Sequence, residues 1–284
     1  MRDLRLWEWG LWLSSIAALL FLLSAPAYGQ LLPTNLPTPQ GGDFGNGASS
    51  GSVAGGIFLS EDRLQAIPAV AHGIPLGFGA QRGQVFGAMG IQRGLRGDPD
   101  WIDAAVFAGQ GFGNREGTLG VEVTVASYST YRNTLRNRSV SVQVHRLLQP
   151  GLGLAAGVEN ALIAGRPDGG RSAYVVTTYH QKLSTSRSVT LTAGLGNGRF
   201  NSVQRVQRET NKASAFGSIG IRVARPVSVL ATWNGQDLTL GASLALQPVL
   251  RVPVVVTPVL LDVTGYAGDR PRLALSIGSA LTLW

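Results

Sequence analysis

SVTLTAGLG (Ser188 to Gly196) alternates along its whole length. Val189, Leu191, Ala193 and Leu195 fall on one face, and Ser188, Thr190, Thr192, Gly194 and Gly196 on the other. Period two is the repeat of a β-strand, whose successive side chains point to opposite sides of a sheet. The less apolar face is the informative one. A soluble β-sandwich turns that face to water and fills it with Lys, Glu, Arg and larger polar groups. Here it holds only Gly, Ser and Thr, which suits a crowded barrel interior, with the apolar face turned to lipid.

The same contrast recurs outward from this stretch. LGVEVTVAS sets Leu119, Val121, Val123 and Val125 against Gly120, Glu122, Thr124 and Ala126. SVSVQV sets Val140, Val142 and Val144 against Ser139, Ser141 and Gln143. DLTLGASLAL sets Leu238, Leu240, Ala242, Leu244 and Leu246 against Asp237, Thr239, Gly241, Ser243 and Ala245. PGLGLAAGVEN from Pro150, SVTLTAGLGNG from Ser188 and PVSVLATWNG from Pro226 begin 38 residues apart, and PRLALSIGSA resumes the pattern at Pro271 after 45. An interval of 38 accommodates two antiparallel strands with their turns, so the repeating unit reads as a hairpin. A propeller blade of similar length would need four short strands.

Strands are predicted near 53–59, 74–80, 84–92, 102–112, 117–127, 138–148, 151–161, 172–183, 187–196, 213–224, 227–234, 237–247, 250–257, 260–267 and 272–284. The reading is an all-β, antiparallel transmembrane barrel of about 12–14 strands built from repeated hairpins. NGQD (Asn234 to Asp237) reads as a tight type I′ turn, because Asn-Gly tolerates left-handed dihedrals. Trp233, Tyr174, Tyr179 and Trp284 are candidates for an interfacial aromatic girdle or for ordinary packing.

The composition agrees. Of 284 residues, 38 are glycine and 14 % are charged, so much of the surface need not meet bulk water. The chain has no cysteine, which excludes disulfides, thiolate metal sites and a lipidated N-terminal cysteine. Lys and Arg number 24 against 16 Asp and Glu. The arginines are scattered, without a basic run, so a nucleic-acid partner is not expected and the excess reads first as a solvated scatter of charge, with an anionic partner such as a lipid headgroup, an anionic solute or a polysaccharide as the lesser alternative.

LWLSSIAALLFLLSA (residues 11–25) follows Arg2 and Arg5 and precedes APA, the pattern of an export signal over residues 1–29. Residues 30–52, rich in Pro, Gly and Ser, read as a mobile leader with a lesser prospect of plugging a barrel. Residues 53–284 are then the barrel.

The last predicted strand resembles the closing strand of bacterial outer-membrane β-barrel proteins, which carries an assembly signal. Ser276, Gly278, Leu281 and Leu283 match its spacing and Trp284 follows, one position out of phase with the apolar face. That resemblance implies an outer-membrane location, with the bilayer and the barrel-assembly machinery as partners. WNGQDLTLG (Trp233 to Gly241) resembles hairpins of polysaccharide-secretion barrels, but those are often lipoproteins, and this chain lacks the cysteine.

No nucleophile-elbow, P-loop, zincin or EF-hand pattern occurs, and His72, His145 and His180 form no local metal or triad arrangement. No catalytic residue, metal or cofactor is expected. Arg146, Arg187, Arg222 and Arg225, with Arg138, are candidates for a lumen or rim. They would pair with Glu122, Glu159 or Asp237 and favour anions if they converged inward. Three functions remain open: a passive channel for small solutes, a closed structural or assembly barrel that binds an envelope partner, and a secreted soluble β-sandwich used for adhesion.

Overall fold

The structure, a computed structural model, describes residues 67–95, 98–128, 137–165, 170–202, 212–246, 253–266 and 270–283. The export segment, the leader, the strand predicted at 53–59 and Trp284 lie outside the described residues.

Among the described residues twelve antiparallel strands close into one barrel: β1 (Gln84–Leu95), β2 (Asp98–Gly113), β3 (Gly120–Tyr128), β4 (Asn137–Gln149), β5 (Leu152–Ala164), β6 (Ser172–Lys182), β7 (Ser188–Gly196), β8 (Ser214–Ala224), β9 (Val227–Trp233), β10 (Leu238–Ala245), β11 (Val254–Leu261) and β12 (Arg272–Thr282). Each strand pairs with its neighbours in the chain, and β1 pairs with β12, from Gln84 opposite Thr282 to Gln92 opposite Ala274. Closure leaves no edge strand, so no row of backbone N–H and C=O groups is left unpaired at an edge. We call the end at which β1 begins and β12 finishes the proximal end. Short connections such as Pro150–Gly151 and Arg225–Pro226 lie there, and the opposite end is distal.

The alternation read from the sequence sets the two faces. On β7, Ser188, Thr190 and Gly196 are buried inside while Leu191 and Leu195 are exposed outside. On β12, Arg272, Ala274, Ser276, Gly278 and Ala280 face inward, and Leu273, Leu275 and Leu281 face outward. Exposed Val142, Leu154, Val175, Ile219, Val229, Leu240 and Leu244 continue the apolar outer face around the wall. In water this surface would be a large apolar patch without a partner.

Several sequence readings need correction. Residues 74–80 form no strand. They belong to a buried segment inside the barrel. Where strands were predicted at 250–257 and 260–267, the structure has the single strand β11, and its ladder with β10 is interrupted between Gly241 and Leu244. Pro258 lies opposite that interruption and lacks an N–H to donate, while Ser243 and Thr257 hydroxyls bridge the gap on the inner face at 2.8 Å. The 38-residue repeats open β5, β7 and β9, strands that all rise from the proximal end, but Pro271 precedes β12, which starts distally. That fourth copy is therefore out of frame. The NGQD turn is not type I′: only Gly235 has positive φ, at 95°. The four-residue loop is held instead by Asn234 Oδ1, which accepts from the N–H groups of Gln236 and Asp237 at 2.8 and 3.0 Å.

Candidate functional site

Residues 67–81 thread the lumen as a finger. Their apolar sequence, IPAVAHGIPLGFGAQ, explains why they shun water, and Pro68 and Pro75 limit their use as a strand. The wall residues that hold the finger trace its course. Ala69 N–H donates to Ser243 Oγ at 2.8 Å and its carbonyl accepts from Ser228, both toward the proximal end. His72 N–H donates to Thr232 Oγ1 at 3.2 Å, and Arg199 Nη1 donates to the Gly73 carbonyl at 2.8 Å, both toward the distal end. The chain reverses there, with Gly73 at φ 71°. It then descends. Gly77 N–H donates to Thr178 Oγ1 at 2.8 Å, Gln143 Nε2 to the Phe78 carbonyl at 3.3 Å, and Ala80 N–H to Glu122 Oε2 at 2.8 Å. Arg82 N–H reaches the Gly113 carbonyl at 3.2 Å before β1 begins.

This geometry accounts for the small inner face. The finger's backbone is satisfied by wall side chains rather than by a ladder, so those side chains must be short hydroxyls or well-placed polar groups. Close approach also needs empty space. A Cβ at Gly77 would come within 2.3 Å of the Gly153 carbonyl oxygen, and one at Gly153 within 2.5 Å of the Gly77 oxygen. Two backbones meet there because neither carries a side chain.

Apolar packing adds to these bonds. Val70, Ala71, Ile74 and Leu76 cluster with Ala155, Tyr174, Val176, Phe200 and Phe216, and the rings of Phe200 and Phe216 stack at 4.3 Å. Full burial of Ile74 and of Leu76 contributes about 1.5–3 kcal/mol each. Ala69 and Ala80 pack instead on the opposite wall, with Phe86, Leu230, Val255, Val259 and Leu261.

The lumen holds a buried ion pair. Arg199, carried on a short 3-10 turn (Gly198–Phe200), donates through Nη2 to Glu159 Oε1 at 2.7 Å and through Nε to Oε2. The guanidinium also lies 4.2 Å from the centre of the Phe200 ring. Near the proximal end Arg115 turns inward from a loop and donates to the Gly79 carbonyl at 3.3 Å. Burial lowers its guanidinium below the ordinary range, while Glu116 acts in the opposite direction. Burial pushes the imidazole of His72, in the finger, down to about 4, so it is neutral at pH 7.

The structure does not bring together the arginines singled out in the sequence. Arg146 is exposed on the outward face of β4, Arg187 and Arg225 are exposed in proximal turns, and Arg222 is half-buried on the inner face of β8. Their expected carboxylate partners are engaged elsewhere: Glu159 with Arg199, Glu122 with the finger, and Asp237 with the Thr264 N–H at 3.1 Å. Trp233 and Tyr179 lie on the outer face, and Trp233 packs edge-on to Tyr266 with ring centres 5.7 Å apart. Tyr174 does not join them. It points inward, 6 % exposed, and donates to Gln143 Oε1 at 2.7 Å. Ser276 and Gly278 face the lumen, and Leu281 and Leu283 face outward. Arg199 and the finger escaped the sequence reading. The one available signal was the apolar run Ile67 to Ala80, too broken by Pro and Gly for a membrane strand.

Fold and site together define a class: a closed twelve-stranded antiparallel barrel whose lumen is filled by its own chain. The chain matches no protein-family model and no curated protein.

Proposed function

We propose that the protein is a closed outer-membrane barrel, held non-conducting by residues 67–81, with a structural or assembly role in the envelope. The carrying observation is the finger, bonded to β3, β4, β6, β9 and β10. A twelve-stranded wall is wider than an eight-stranded one, which side chains alone fill, and narrower than the 16–18 strands of open porins. One chain segment and its contacts occupy that intermediate space. The membrane part of the reading is supported by the apolar outer face, the even number of antiparallel strands, the export pattern at residues 1–29 and the placement of Ser276, Gly278, Leu281 and Leu283.

Planar-bilayer recording tests it. Wild-type protein gives no steady conductance, and deletion of residues 67–81 opens one, with heat-modifiable gel migration verifying that the deleted barrel still closes. A second variant guards against misfolding. Because the native chain has no cysteine, Ala69→Cys with Ser243→Cys forms a single disulfide that pins the finger, and this protein stays silent when oxidised. Steady conductance in the wild type, unchanged in the pinned variant, means the finger does not occlude the pore and returns the reading to a passive channel. Extraction by buffer without detergent would remove the membrane assignment in favour of a soluble β-barrel.

A further inference from the structure

Cations that face the lumen are not all treated alike. Arg199 is paired with Glu159 and Arg272 with Asp262, both in the distal half. Lys182 on β6 and Arg222 on β8 continue the inward register of their strands, and neither makes an ion pair. Strand pairing brings these two together. Lys182 is opposite Ser188, Ser188 is opposite Arg222, and Arg222 is opposite Ser228, so one inner row crosses β6, β7, β8 and β9 at the proximal mouth. Strands lie about 4.8 Å apart, which puts the backbones of Lys182 and Arg222 about 10 Å apart, within converging reach of two long side chains. One step along the inner face of β6 is His180, whose Nδ1 is 2.9 Å from Thr190 Oγ1 and whose ring feels both charges.

We propose that Lys182, Ser188 and Arg222 form a binding site for a small water-borne oxyanion, such as inorganic phosphate, reached from the proximal mouth. Two like charges held on one row repel each other. Among the described residues of β5 to β9 no carboxylate near that mouth offsets them: Glu159 and Asp237 lie distally, and Glu116 is on the β2–β3 turn, on the far side of the barrel. Access along the row suits a ligand. Lys182 is exposed, Arg222 is half-buried with its Nε buried and unbonded, and Ser188 is buried between them. An oxyanion seated there would accept from the Lys182 ammonium, from the Nη edge of the guanidinium and from the Ser188 hydroxyl, and the bonds to the two cations are charge-assisted. The β8–β9 register shifts between Arg222 and Ala224, an irregularity of the kind that re-aims a side chain at a barrel rim. Ser228, at the other end of the row, donates to the Ala69 carbonyl. The finger therefore closes that end and leaves the Lys182 end open. The row faces the lumen, away from the apolar outer face, so its ligand comes from water and not from the bilayer. The site needs only the closed barrel, and it does not rest on the membrane reading above.

The test titrates the full chain in detergent micelles with inorganic phosphate, followed by phosphorus line broadening and by the amide resonances of Ser188 and Arg222. Wild-type protein binds saturably, shifts both resonances, and loses affinity as sodium chloride is raised. Arg222→Gln weakens binding about tenfold or more. Lys182→Gln, on the exposed side, weakens it by a smaller factor of about three. Arg222→Lys recovers part of the loss. The control is Arg187→Gln, which removes the same charge from the residue next to Ser188, but from an exposed turn, and keeps wild-type affinity. Heat-modifiable migration verifies that each variant is a closed barrel. The proposal is overturned if the wild type does not bind, if binding leaves the Ser188 and Arg222 resonances unmoved, or if Arg187→Gln weakens binding as much as Arg222→Gln does. Competition identifies the source of the anion. Displacement of phosphate by glycerol phosphate as readily as by short-chain phosphatidylglycerol supports a water-borne ligand, whereas displacement by the lipid alone overturns it. A barrel that inserts, stays silent and binds no phosphate defeats this proposal and leaves the closed-barrel reading standing.

Discussion

On β7, Leu191 is 45 % exposed and its neighbour Thr190 is fully buried. Around most of the wall the polar or small side chain is inside and the apolar one outside, the reverse of a water-soluble domain. The inner face follows the ordinary rule for buried polar groups where the finger meets it: Glu122, Gln143, Thr178, Thr232 and Ser243 find partners there, whereas the hydroxyls of Ser218 and Ser276 are left without one. The outer face obeys the rule of its surroundings, and an apolar one tolerates no charge. Equivalent substitutions on the two faces should therefore fail for different reasons.

The largest effect is expected inside. Glu159→Gln leaves the Arg199 guanidinium, 3 % exposed, without its countercharge, and breaking a buried pair from one side costs about 3–5 kcal/mol. Denaturant titration in micelles, read by heat-modifiable migration, should show that loss. Glu159→Gln combined with Arg199→Met should be less damaging than Glu159→Gln alone, because it removes the stranded charge. Equal losses in the single and double variants would deny the pair this role.

Outside, Leu191→Arg is the matching experiment. At the middle of a lipid-facing strand an arginine costs about 2–4 kcal/mol, whereas on a wetted surface most substitutions stay within about 0.5 kcal/mol. A variant as stable as wild type in vesicles would place water on this face.

These two positions also show what the sequence could reveal. Leu191 was legible because period-two alternation is local: each strand announces its faces within a few residues. Glu159 and Arg199 are 40 residues apart, and no local pattern links a β5 carboxylate to a turn after β7. The finger was hidden for the same reason. Ile74, Leu76, Phe78 and Ala80 alternate like a strand, but their backbone partners are side chains of β3, β4 and β6, and Ala69 bonds to a serine 174 residues away. Strand number and facing could be read, whereas the contents of the barrel depended on closure.

His72 supplies a pH test of the finger. Burial lowers its pKa from 6.5 to about 4, so the docked form binds fewer protons than the released one. Docking is at full strength above pH 6.5 and weakens as pH falls toward 4. By pH 5 the loss is about 2 kcal/mol, from 1.5 pH units at about 1.4 kcal/mol each. Labelling of a single cysteine at Ala69 should accelerate across that window. His72→Gln should flatten the response, and an unchanged acid response in that variant would clear His72.

The smallest and cleanest comparison uses adjacent threonines on β6. Thr178 faces inward, where its hydroxyl accepts from Gly77 N–H at 2.8 Å and bridges to Thr192 at 3.0 Å. Thr177 faces outward and its hydroxyl donates to the Gly153 carbonyl at 3.1 Å. Thr178→Val preserves shape but leaves a buried finger donor unsatisfied, costing about 1–2 kcal/mol and accelerating hydrogen exchange at Gly77. Thr177→Val should accelerate exchange at Gly77 less, since its hydroxyl reaches the finger only through the Gly153 carbonyl that it bonds, and its site gains an apolar group on an apolar face. Similar acceleration from both variants would mean that the finger responds to general loosening of β6, and the distinction between the faces would not hold at this site.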